Sequence, residues 1–98
     1  MTDYKAFFTA VIQRELRLLG EEKTFNAVLK IQGLQVNEQG NVLSYKGDER
    51  TILRKLSDSF SAYSNLARIP LRAIILEFRN LNADFKLRYD DLYSSTKQ

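Results

Sequence analysis

Three pairs of adjacent carboxylates, Glu21-Glu22, Asp48-Glu49 and Asp90-Asp91, come closest in type and spacing to acid/base machinery. Paired carboxyls can divide the roles of proton donor and acceptor when their surroundings push their pKa values apart. Each pair also has an ordinary use. The first two stand where helices are expected to begin, and acids there offset the positive end of the helix dipole. The third lies near the C-terminal end of the sequence. The chain has no histidine and no cysteine, so it lacks an imidazole base, a thiol nucleophile and the commonest zinc ligands. Ser57, Ser61 and Ser64 then have no base to activate them, and their stripe reads as a solvated helix face. Gly20, Gly33, Gly40 and Gly47 are too far apart for a phosphate-binding glycine loop. We expect a non-catalytic protein without a cofactor.

No metal site is expected either. The turn Gln35–Gly40 resembles a calcium-binding EF-hand loop only in Asn37 and Gln39 ahead of Gly40. Its first and twelfth positions would be Gln35 and Lys46, where the chemistry demands carboxylates.

The charge balance is mildly basic, with a net +3 and a pI near 9.3. Arg14, Arg17, Lys23 and Lys30 are the cations a nucleic acid would meet if the chain were a small DNA-binding regulator. In outline, a helix, a glycine turn, a second helix and a hairpin resemble the order of a winged helix-turn-helix module. The second helix, however, offers few base-reading side chains beyond Asn26 and Gln32. A mixed-charge surface explains the same cations, and DNA binding is the alternative reading.

These residues must be positioned by elements that the apolar spacing announces. Ninety-eight residues suit one domain spanning positions 1–98. Apolar steps of three and four predict helices over about 4–19, 22–32, 49–67 and 70–93. Asp3 or Thr2 caps the first, Gly20 stops it as a left-handed C-cap, and Gly33 stops the second. Leu34, Val36, Val42 and Tyr45 flank a glycine-containing turn and predict a β-hairpin over about 34–45. Pro70 suits the first position of helix four, with almost no loop after helix three. The expected fold is mainly α: a compact bundle of about four helices with one small β-hairpin between helices two and three. No apolar run approaches a membrane span, and Met1–Lys5 lacks the pattern of a signal peptide. A cytoplasmic protein without membrane partners is the expectation.

Helix four carries the strongest pattern. Leu71, Ile74, Phe78, Leu81, Phe85 and Leu92 form its seam, widened by Ile75 and Tyr89. Glu77, Asp84 and Asp91 recur every seven residues on one flank, and Arg72, Arg79 and Lys86 on the other. A hydrophobic seam between an acidic and a basic edge orients a partner helix and rejects misaligned ones. The same seam also serves to dock helix four inside its own bundle. Its last turns, with Phe85, Tyr89 and Leu92, are expected to overhang and to make a homodimer. The function expected is a protein–protein interaction or regulatory module. Its partner interface would be Phe78, Phe85, Tyr89 and Leu92, with Glu77, Asp84, Arg79 and Lys86 setting the register.

Overall fold

The computed structural model describes residues 2–93. Helix α1 (Tyr4–Leu19) begins where the Asp3 carboxylate accepts the Ala6 N–H at 3.1 Å, satisfying one of the donors a helix start leaves unpaired. It ends at Gly20, which has φ 88° and ψ 171°. That is the extended mirror region open essentially to glycine alone, rather than the left-handed helical cap expected. There Gly20 serves two helices. Its N–H donates to the Leu16 carbonyl at 3.0 Å, and its carbonyl accepts the Thr24 N–H at 3.2 Å. Helix α2 (Glu21–Leu29) starts on it and stops three residues short of the expected end, in a turn at Lys30–Gly33.

Strands β1 (Leu34–Val36) and β2 (Val42–Tyr45) pair antiparallel, with Leu34 opposite Tyr45 and Val36 opposite Val42. The register slips by one between those pairs, so β2 carries an extra residue. A two-stranded hairpin is marginal alone, and this one leans on α1. The Val42 N–H donates to Thr9 Oγ1 at 2.9 Å, and Gln13 Nε2 donates to the Gln39 carbonyl at 2.6 Å. Asn37 Oδ1 accepts the N–H groups of Gln39 and Asn41 and so closes the turn.

The tip of that turn presses on α1 at Gly40. A Cβ there would lie 2.9 Å from both Gln13 Nε2 and Leu16 Cδ1, whereas one at Gly47 would meet nothing within 4 Å. Both glycines have positive φ, so both alanine variants carry backbone strain of about 1–2 kcal/mol. Gly40→Ala is expected to cost at most about 1 kcal/mol more than Gly47→Ala in urea denaturation, because the atoms it meets are the ends of the Gln13 and Leu16 side chains, which can shift. Equal losses would mean that the Gln13 and Leu16 side chains yield to the added methyl without cost.

Helix α3 (Glu49–Ser61) is capped by Asp48, whose carboxylate accepts the Thr51 N–H at 3.1 Å. It ends six residues earlier than its spacing predicts. A 3-10 turn at Asn65–Ala67, capped by Ser64, leads straight into α4 (Arg68–Leu81). Pro70 is therefore the third residue of α4 rather than the first. Its missing N–H costs nothing there, because the first four helical N–H groups have no partner within the helix. Ser57 is buried and accepts a hydrogen bond from Arg68 Nε at 2.8 Å, so the serine stripe is not a uniformly solvated face.

The largest correction concerns the C-terminal segment. Helix α4 stops at Leu81, not near residue 93. Asn82 turns to extended backbone, and both its N–H and its Nδ2 donate to the Phe78 carbonyl, at 2.9 and 3.1 Å. Asn and Asp side chains compete with the helix for backbone groups, and Asn80, Asn82 and Asp84 crowd this stretch. The chain then doubles back. Phe85 stacks on Tyr4 with centroids 5.7 Å apart and meets Phe7 at 5.1 Å and Phe78 at 5.9 Å. A second 3-10 turn at Tyr89–Leu92 packs on α3.

Over the described residues the result is a mainly helical fold of four helices with a two-stranded antiparallel hairpin between α2 and α3. Its core joins Phe7, Phe8, Val11 and Ile12 of α1 to Leu53, Leu56 and Phe60 of α3 and Leu71, Ile74 and Ile75 of α4. Each such side chain contributes about 1.5–3 kcal/mol on burial. Among the described residues no helix is long and apolar enough to cross a membrane.

Candidate interaction surface

The inward side of α4 presents Leu71, Ile74 and Ile75, all buried, with Phe78 half-buried beside them. A helix of that kind normally turns charged residues outward. This one does not. Leu66 in the preceding 3-10 turn, then Ile69, Ala73 and Leu76, recur at steps of three and four on the outward side. Leu66 is 57 % exposed, Ile69 60 % and Leu76 48 %. Arg72, Glu77 and Arg79 flank the stripe rather than interrupt it.

Helix α1 lies beside α4 and runs the opposite way. Phe7 meets Phe78 at 5.3 Å between ring centroids near one end, while Leu18 and Arg17 lie against Ile69 and Pro70 near the other. The two helices enclose an open groove of about 420 Å³, lined by Arg14, Arg17, Leu18, Ile69, Pro70 and Ala73. Its floor is apolar and its rim on α1 is cationic. Arg14 Nη2 lies 3.7 Å from Glu77 Oε2, and both side chains are well exposed, a pair of little energetic consequence. Among the described residues Arg17 has no carboxylate partner.

The residues expected to form the interface are divided by the fold. Phe85 and Leu92 are buried within the chain, and Phe78 and Tyr89 are half-buried, so they form no overhanging seam. Glu77 and Arg79 are exposed on α4. Asp84 and Lys86 lie beyond the helix, so their seven-residue spacing from Glu77 and Arg79 no longer means a shared face. Asp84 accepts the Thr2 N–H and hydroxyl at 2.8 and 2.6 Å, and these bonds hold its carboxyl below the usual value. The Lys86 N–H donates to the Tyr4 hydroxyl at 3.0 Å.

The four cations of the nucleic-acid reading do not converge. Arg14 and Arg17 line the α1/α4 groove. Lys30, over the Tyr63 ring, lines a separate depression with Lys55, Asp58 and Ser59. Lys23 projects from the α2 surface next to exposed Glu21 and Glu22, which would repel a phosphate backbone.

Glu15 escapes a reading by motif. It is fully buried, and neither carboxylate oxygen has a hydrogen-bond partner among the described residues. Desolvation pushes its pKa up from 4.5 to about 8. Its position gives it away in hindsight: it stands three residues after Ile12 and four after Val11, inside the apolar stripe of α1. A carboxyl that holds its proton at neutral pH has the property of a general acid, yet a substrate has no route to a group with 0 % exposure. Among the described residues no group of three or more His, Cys, Asp or Glu side chains could hold a metal ion. Comparison with protein-family models, with curated proteins and with solved structures finds no match to this chain.

Proposed function

We propose that this chain is a non-catalytic interaction module that docks a protein partner on the outward face of α4 and its groove with α1. The observation that supports this reading is that α4 is apolar on two opposite sides while the described residues cover only one. A helix apolar all round is normally buried, and a contiguous exposed apolar face rimmed by charge marks an association site. Arg14 and Arg17 on one border and Arg72 and Arg79 on the other supply the polar rim such sites carry.

The test places a photo-crosslinking amino acid at position 76, where a bulky apolar side chain replaces Leu76, and a control at Asn26 on α2. Helix α2 packs on α1 and α3 rather than on α4. Irradiation in the producing cell is expected to give a discrete protein adduct from position 76 and none from position 26. Equal, diffuse labelling at both sites would end the reading.

A further inference from the structure

We infer that the occupant of this face is a second copy of the chain, with α4 packed antiparallel against α4 of the partner across a two-fold axis near Ala73. This rests on the docking reading above. The outward stripe is nearly symmetric about that point. Ile69 stands four residues before Ala73 and Leu76 three after; the match ends there, since Leu66, seven residues before, has the polar Asn80 seven after. An isologous contact needs a self-complementary patch, in which residue i meets j and j meets i. Turning α4 end over end sets Ile69 on the Leu76 of the other copy, and Leu76 on its Ile69. The small Ala73 falls at the crossing, where it permits interaxial distances near the short end of the usual ~8–10 Å range.

The charges follow the same symmetry. Glu77 stands on the α1 side of the stripe, as its contact with Arg14 shows. In the antiparallel pairing it comes level with residues 68 and 69 of the other copy. That is the end of the groove where Leu18 and Arg17 lie. Arg17 of each chain, which has no carboxylate partner among the described residues of its own fold, then meets Glu77 of the other, giving two identical ion pairs. The like charges nearest the axis, the two Arg72 side chains, are drawn aside: each guanidinium lies over the Tyr89 ring of its own chain at 5.4 Å.

Sedimentation equilibrium from micromolar to millimolar chain concentration tests the pairing, using wild type, Arg17→Glu and Glu77→Arg. Both positions are on the surface of α1 or α4, and far-UV circular dichroism checks that both variants fold. The wild type is expected to rise from 11.4 kDa to twice that mass. Each single variant sets two like charges together and is expected to raise the dissociation constant at least tenfold. An equimolar mixture of the two variants restores both opposite-charge contacts and is expected to dimerise as the wild type does. Weakened variants that fail to rescue one another would overturn this arrangement. A wild type that stays at 11.4 kDa throughout would overturn self-association. In that case a position-76 adduct with a different protein would leave the docking reading standing, and the absence of any adduct would remove both.

Discussion

Replacing Glu15 with leucine is expected to stabilise the protein by about 2–4 kcal/mol at pH 7, a gain larger than most single substitutions reach. Two costs disappear together: an ionisable group is no longer held away from water, and two carboxylate oxygens no longer lack hydrogen-bond partners. The sign of the pH dependence follows from the direction of the shift. Burial raises the Glu15 pKa from 4.5 to about 8, so between those values the folded chain holds a proton that the unfolded chain has released. Stability therefore falls as pH rises through that window. The contribution is fully present below about pH 4.5 and lost by about pH 8. At about 1.4 kcal/mol per pKa unit, the whole window is worth on the order of 5 kcal/mol, comparable to the entire stability of many small domains. Glu15→Gln separates the two costs. It removes the titration but keeps a buried polar amide, so it should flatten the pH profile with a smaller gain at pH 7. Urea denaturation of the three proteins at acidic, neutral and alkaline pH measures this. A wild type whose pH slope matches that of Glu15→Gln would show that the carboxyl is solvated or paired.

Glu15 also marks where apolar spacing stops being informative. Periodicity reports which positions face inward, and position 15 falls inside the stripe of α1. It does not report that a charge-bearing residue occupies such a position without a partner. The glutamate was invisible to a search for carboxylate pairs because it stands alone. The hairpin and the starts of α1 and α3 were legible because each carries its own chemistry: strand residues about a glycine turn, and the caps Asp3 and Asp48. The end of α4 was not. Phe85 and Leu92 continue a heptad spacing from Phe78 by coincidence of register, and that spacing outweighed the local signal of Asn80, Asn82 and Asp84. The exposed apolar face beside α4 was half legible. The fourth helix does carry an exposed apolar face, but on Ile69, Ala73 and Leu76, continued by Leu66 of the preceding 3-10 turn. A seam drawn through the stronger stripe concealed the weaker one on its far side.

Phe85→Ala is expected to cost about 3–5 kcal/mol of folding stability, which would leave little margin in a chain of this size. Phe85 lies within a cluster of Tyr4, Phe7 and Phe78, with every ring centroid within 6 Å of its own. The truncation removes aromatic contacts worth about 0.5–1.5 kcal/mol each beyond area burial and leaves a cavity between α1 and the end of α4. The loss should reach further, because Phe85 is what folds the returning segment onto the N-terminus. Beside it, Asp84 accepts from Thr2 and the Lys86 N–H donates to Tyr4. Loosening Phe85 therefore frees both anchors. Leu81, only four residues away, is 80 % exposed, and Leu81→Ala should change stability by less than about 0.5 kcal/mol. The contrast is best read by denaturation at low micromolar concentration, which keeps any contribution from association small. A Phe85→Ala variant as stable as Leu81→Ala would mean that the segment after α4 does not return to α1. Phe85 would then be free to meet another chain, as the heptad spacing, interrupted only at Arg88, implied.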